Sequence, residues 1–436
     1  MLVVGLSDGG HCTVAASLLI DGLSWGVRGR TNGQSADNET NGFRCFRSAW
    51  RLLSRSFMRW PQKPVQSVRP SRFNPPFCPW SDCTAHRTPG RGFHRNGSYR
   101  TLSSPVRIPR FRCLDCKGSC SRQTFSTTYY LKRPELLVFV ASGLAACSCH
   151  RQIARSFHCA KTTVTRLADR LGRHAILFHS RCNASLPTLA EPIVHDHWEL
   201  FVGRQDHALG VGTAVGATSR YVYDIDPAPH RGSGRRPDRK PEDETTVRVN
   251  RPYVASIKRS IRGLIPHLSG SERLVLRVDG RLDYRVALRD PGLSSRVTLQ
   301  VYPNPKRGPK GTPRSPEAVR RDLAMFPVDS LHQLLRHSCA DHKRETIAFG
   351  RRLESIIGRA HLLAVWKNFI KARSERAPDR TTPAMRLGIT DTRWRFERIL
   401  ARRLFPLREA VSESALRVYQ KRWTPALPKL DRRHAA

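Results

Sequence analysis

Acidic side chains are scarce in this sequence: 35 Asp and Glu stand against 76 Lys and Arg, a formal charge of +41. A field of that sign repels cationic partners and concentrates polyanions, so nucleic acid leads the candidate partners, ahead of a membrane surface. Long apolar runs are missing too. The run at 136–147 falls short of the roughly 20 residues that cross a bilayer, and the run at 13–20 lacks the preceding basic residues of a secretion signal. No membrane segment is read, and a cytoplasmic, nucleoid-associated location is expected. Aromatic residues are only 8% of the chain, yet with 39% hydrophobic residues they exclude wholesale disorder. Cysteine is not scarce: twelve are present. Without a secretion signal they suit metal ligation in a reducing compartment better than a disulfide framework.

The 436 residues suggest two to four domains. Residues 1–72 show no sustained periodicity and read as a poorly ordered N-terminal extension, and Met58 is a candidate true start. Residues 73–130, rich in Pro and Gly with short strand-like runs, hold a cysteine module. Residues 131–182 have helical spacing. From residue 190 to 371 the pattern is three strands, a helix, a strand, a short helix, a strand and then helices, with a basic insertion at 230–250. The stretch 303–316 reads as a basic loop, 329–338 as a helix and 345–371 as a long amphipathic helix. Residues 372–436 read as a basic tail, mostly loop.

Cys78 and Cys83 are separated by four residues, Cys113 and Cys116 by two. Four thiolates in two close pairs can close a tetrahedral zinc site, each pair offered by a tight turn. Cys120 in place of Cys116, and His86 or His94 in the first pair, are lesser options. Behind this zinc-ribbon-like module, helices are expected at 135–146, 150–157 and 161–174, with Ile153, Ala154, Val164 and Leu167 as their core. That is a helix-turn-helix pattern. Its third helix would turn Lys161, Thr162, Thr163 and Thr165 toward base edges, with Arg151, Arg166 and Arg170 on DNA as well, the last two on phosphates. The link at 158–160 lacks the glycine common in this turn.

Asp196 lies in the apolar strand Ile193-Val194-His195-Asp196, and Asp279 ends the strand Leu274-Val275-Leu276-Arg277-Val278. Carboxylates at neighbouring strand ends bind hard divalent cations, Mg2+ or Mn2+, and such ions drive phosphodiester displacement. A single Asp at a strand end is more often a turn or cap residue. Glu199, three residues beyond Asp196, falls on the opposite strand face, and Asp224 and Asp226 read as turn residues closing the third strand.

The cysteines, the Arg151-Gln152-Ile153-Ala154-Arg155 helix, Asp196-His197-Trp198, Asp279-Gly280 with Tyr284, and Arg344-Glu345-Thr346-Ile347-Ala348-Phe349 together resemble transposases of bacterial insertion sequences. Among these the chain is most similar to the insertion-sequence-one family. The resemblance spans about residues 78–371. It implies an α+β multidomain protein: a zinc ribbon, a helix-turn-helix and a ribonuclease-H-like α/β domain with a mixed sheet and an Asp, Asp, Glu triad. It further implies double-stranded DNA at terminal inverted repeats as partner and a homo-oligomer on that DNA. Asp196 matches the first acid and Asp279 the second. The third departs from the pattern. Counting back from Thr346, the family's Glu position holds Asp329, with His332 where an Asn is usual. Asp329 also suits a helix N-cap, and Glu345, with Glu354 behind it, is the alternative third acid. A DNA-binding regulator with an inert core, and a degenerate reading frame, are the competing readings.

Overall fold

Three short strands carry the cysteine module. β1 (Phe93–Thr101) pairs antiparallel with β2 (Ser104–Cys113), and β2 with β3 (Ser119–Ser121). The computed structural model describes residues 73–422, apart from 102–103, 230–248, 307, 310, 344–345, 347, 375 and 377. The chain divides into two units after Phe73, and the second, Asn74–Ala436, contains the elements described below. The expectations for residues 1–72, Met58 among them, lie outside the described residues.

Helices α1 (Leu136–Ala145), α2 (His150–Ser156) and α3 (Lys161–Ala184) follow. Apolar residues spaced three and four apart bury one face of each: Leu137, Val140, Ala141 and Leu144; Ile153 and Ala154; Val164, Leu167 and Leu171. The missing turn glycine is replaced by His158, which takes φ 46°, the left-handed backbone that glycine usually supplies. Arg133 steadies that turn, its Nη1 donating to the carbonyls of Phe157 and His158 at 3.3 Å each.

α3 runs ten residues beyond the expected 174. Its second half buries Ala175, Ile176, Leu177 and Phe178, so the boundary drawn at 182 falls inside a continuous helix. That half crosses α8 (Leu353–Phe369) at Gly172 and Gly358. A Cβ on Gly172 would meet Gly358 Cα at 2.9 Å, so the backbone approach itself demands glycine.

The second sheet has the order β6-β5-β4-β7-β8. β4 (Ile193–Val202), β5 (Arg204–Gly216) and β6 (Val222–Pro229) are antiparallel neighbours. After α4 (Arg251–Leu264), β7 (Leu274–Val278) runs parallel to β4. Then come α5 (Leu282–Ala287), α6 (Pro291–Ser294) and β8 (Val297–Val301), which is parallel to β7. Strand alternation sorts the core. Ile193 clusters with Ile257 and Ile261 of α4, whereas Val194 and Trp198 cluster with Val328 and Leu331 of α7 (Pro316–Ser338) and Ile356 of α8. The architecture is mixed α/β with one antiparallel and one mixed sheet.

α7 corrects the sequence reading. It begins at Pro316, capped by the Ser315 side chain accepting from Ala318 N, and continues through Pro327. Asp329 is therefore mid-helix and not an N-cap. A proline inside a helix costs about 3 kcal/mol. Burying Met325, Val328, Leu331 and Leu335 against the sheet, at about 1.5–3 kcal/mol each, outweighs it.

Residues 372–422 are also not a loose tail. α9 (Pro383–Arg386), α10 (Phe396–Ile399) and α11 (Glu413–Tyr419) bury Ala384, Phe396, Ile399, Leu400, Leu404 and Val418. This segment straps the cysteine module and α3 to the core. Thr127 Oγ1 donates to Leu400 O at 2.6 Å, His174 Nε2 to Ile399 O at 2.9 Å and Arg403 N to Phe125 O at 2.9 Å. Phe77, Phe125 and Phe405 meet ring to ring, and Arg408 lies 4.0 Å over Phe77. Among the described residues no helix is long and apolar enough to cross a membrane.

Candidate metal centre and carboxylate cleft

Two tight turns bring the four predicted cysteines together. Their sulfurs all lie within 4.8 Å of one another, Cys78 to Cys116 at 3.6 Å and Cys83 to Cys113 at 3.9 Å. A tetrahedron with Zn–S near 2.3 Å has an S–S edge of roughly 3.8 Å, so the spacing suits one such ion. The second turn is sharp because Lys117 adopts φ 59°, and Gly118 N donates to Cys116 Sγ at 3.4 Å. A Cβ on Gly118 would strike the Trp80 ring at 2.4 Å. Burial pushes the Cys78 and Cys83 thiols up, a cost that a cation shared by four thiolates relieves. The lesser options Cys120, His86 and His94 lie outside this cluster, and His86 Nδ1 instead donates to Cys78 O at 2.7 Å. The four cysteines can hold a metal ion such as zinc.

The two aspartates stand abreast. Asp196 lies within β4 rather than at a strand end, because the strand runs on to Val202, and Asp279 directly follows β7. Val194 is level with Arg277 across the parallel β4–β7 pair, so Asp196 and Asp279 are each two residues further along adjacent strands. Burial, then the charge of Asp279, then Asp329 push the Asp196 carboxyl up to about 7. Burial also raises Asp279. Asp329 reaches this group from α7. His332, one turn on, sets Nδ1 3.8 Å from Asp196 Oδ2, while its Nε2 lies 2.8 Å from Thr213 Oγ1.

A residue that sequence reasoning missed sits among these acids. Arg321 Nη1 meets Asp329 Oδ2 at 2.5 Å, and its charge also lowers Asp196 and Asp279. The spacing from Arg321 to Asp329, two helical turns, carries no familiar sequence signal. The three carboxylates do not all come within 4.8 Å of one another. Glu345 lies outside the described residues, so only Asp329 of the two third-acid candidates is placed in the cleft.

Behind β4, Tyr284 donates its hydroxyl to His195 O and accepts from His195 Nδ1, both at 3.0 Å. The motif Asp279-Gly280 with Tyr284 thus ties the β7 end to the strand carrying Asp196. Glu199 points away, as expected, to Tyr253 at 3.1 Å and Arg281 at 3.8 Å. Asp224 and Asp226 are not turn residues: both lie within β6, and Asp226 pairs with Arg259 at 2.6 Å.

The raised Asp196 has a stability consequence. The folded chain holds this proton up to about pH 7, the unfolded chain only to about 4. Stability therefore falls as pH rises through that window. Asn cannot ionise, so in metal-free buffer Asp196→Asn is expected to match the parent near pH 4 and to exceed it at pH 8 by about 2–4 kcal/mol. Paired denaturant titrations at the two pH values check this; equal stability at pH 8 refutes it.

On α2 and α3, Arg151, Lys161, Thr162, Thr165 and Arg166 are exposed and Thr163 is half-buried. Thr165 Oγ1 is shared between Lys161 O and His150 Nδ1, at 3.1 Å each. Arg170 differs from its expected role on phosphate. Its Nη1 donates to Thr127 O at 2.8 Å and Tyr129 O at 2.7 Å, tying the cysteine module to α3. No protein-family model matches the chain, and no curated protein matches it.

Proposed function

We propose that this protein is a transposase, an enzyme that binds the ends of a DNA element and cleaves and re-joins DNA strands with divalent metal. The observation that carries the proposal is Asp196 and Asp279 abreast on adjacent parallel strands, electrostatically joined to Asp329. The sheet order β6-β5-β4-β7-β8, with β7 and β8 parallel to β4, supports a ribonuclease-H-like reading of this domain. The cysteine module supports a structural zinc ribbon, and α2 with α3 a DNA-reading helix-turn-helix.

The carboxylates of Asp196, Asp279 and Asp329 are oxygen donors, which suit a hard cation such as Mg2+ or Mn2+. Such ions activate the attacking oxygen and stabilise the leaving one in phosphodiester displacement. Asp196 and Asp279 would hold them, with Asp329 released from Arg321. His332 and Thr213 orient the Asp196 strand, and Tyr284 locks it to the β7 end. The test is nicking by the full chain, in Mg2+ or Mn2+, of DNA carrying the flanks of its own coding sequence.

A second reading draws on the Arg321–Asp329 pair. If that ion pair is permanent, the core is inert and the protein is a DNA-binding regulator. Specific binding to the same DNA without nicking in either metal selects it.

The DNA-reading face gives a separate prediction. Arg166→Ala is expected to weaken binding to all sequences alike and to reduce the salt slope by about one. Thr162→Ala is expected to change sequence preference. Arg170→Ala is expected to lower thermal stability and leave the salt slope unchanged, because its partners are carbonyls. Binding titrations at several salt concentrations separate the three outcomes.

A further inference from the structure

On the flank of α7 that carries Ser330 and Leu334 lies a cleft whose lining is cationic. Arg220 comes from the β5–β6 turn, Lys367 from the last turn of α8, and Lys371, Arg373 and Arg386 from the segment that follows. We propose that this cleft is a binding site for a phosphate group.

The charge balance points that way. Among the described residues one carboxylate pairs with these five cations: Asp379, 3.6 Å from Arg373 and 3.3 Å from Arg386; Glu375 of the same segment lies outside the described residues. Glu191, near the same turn, is taken up by Thr218 N, both Ser219 donors and Tyr223. Arg220 also lies 4.8 Å over the Phe326 ring, and the remaining side-chain contacts described for the cations are to neutral carbonyls. Lys367 Nζ donates to Arg220 O, Lys371 Nζ to Ala372 O at 3.2 Å and Arg386 Nη1 to Thr218 O at 3.1 Å. Lys367 is only 8% exposed. Burial, then Arg220 and Lys371, lower it to about 7, and Arg220 is lowered by burial, Arg373 and Arg386.

Two half-buried guanidiniums elsewhere, Arg259 with Asp226 and Arg281 with Asp283, are compensated by acids. Here like charges gather at mutual cost, and an external anion offsets it. Three guanidinium forks and two ammonium groups suit the tetrahedral oxygens of a phosphate. The phosphate can come from solution or from a DNA strand. The DNA source rests on the transposase reading, the solution source does not.

The test uses the full chain, inorganic phosphate, and the double variant Lys371→Gln/Arg373→Gln, which spares buried Lys367. At constant ionic strength, phosphate is expected to raise the melting temperature of the parent by several degrees over chloride, and the variant to lose at least half of that shift. Without phosphate the variant is expected to melt no lower than the parent, since it removes repulsion. An equal phosphate shift in parent and variant, or a variant that melts well below the parent without phosphate, overturns the proposal. A second arm measures a phosphodiester duplex against both proteins. A several-fold loss of affinity with a shallower salt slope assigns the site to DNA, and unchanged affinity with a lost phosphate shift assigns it to free phosphate. Failure of Asp279→Ala to affect nicking would strike the transposase reading and leave the phosphate shift intact.

Discussion

Asp279→Ala is expected to abolish metal-dependent strand cleavage, with a residual rate at least about 1,000-fold below the parent, roughly 4 kcal/mol of lost transition-state stabilisation. The residue directly follows β7, level with Asp196, is half-buried, and accepts one local hydrogen bond, from Arg281 N at 3.1 Å. Its removal therefore leaves the sheet intact and takes away one of two adjacent carboxylates. The same variant should bind Mn2+ more weakly in the absence of DNA, a readout independent of turnover. It should retain the parent's melting temperature or exceed it, since a carboxylate held above its ordinary range by burial is gone. Nicking that survives in purified Asp279→Ala defeats the proposed cleft. Absence of nicking in the parent, with specific DNA binding preserved, selects the regulator.

Cys113→Ser is expected to release the metal and unfold the cysteine module. The parent should carry one zinc per chain and the variant almost none. Structural zinc contributes apparent binding energies of about 10–16 kcal/mol in small modules, far more than β1, β2 and β3 can supply with so few apolar contacts. The buried cluster around the cysteines holds only Cys78, Cys83, Ala85 and Cys113, with Phe93 against it. Damage should not stop there. Phe77 and Phe125 rest on Phe405, and Arg408 donates to His86 O, so the strap from the C-terminal segment loosens as well. Metal analysis with limited proteolysis reads both effects. A purified parent without zinc and with protease-resistant residues 73–130 would refute the assignment.

Much of this arrangement is legible in the sequence because the signals are local. Paired cysteines announce a knuckle, apolar residues three and four apart announce α1, α2 and the start of α3, and β-branched runs announce β4 and β7. Aspartates at 196 and 279 could be aligned from their places in those strands. What stays hidden depends on distant partners. The helix reads as starting only at 329, since the sheet beneath α7 is what carries it through Pro327. Residues 372–422 read as a tail because their buried side chains come in helices of four to seven residues among arginines, below the length at which periodicity shows. Arg170 reads as a phosphate contact because the acceptors its Nη1 finds within the chain, two carbonyls of residues 127 and 129, carry no side-chain signature. Arg321 was invisible for the same kind of reason: its partner Asp329 is eight residues on.

On the proposed reading, the unbroken course of α3 sets a limit on how the protein could measure DNA. Its first turn offers Lys161 and Thr162, its middle is pinned to α8 at Gly172, and it ends at Ala184 beneath the core. No linker stands between the end that reads and the body that holds the aspartates. On the proposed reading, recognition and scission are therefore locked in helical phase. One added base pair between the read sequence and the scissile bond would turn that bond by about 35° around the duplex, and half a turn, about 5 base pairs, would carry it to the far side. A tethered reader tolerates such insertions; a reader built into the catalytic body works as a ruler with a single mark.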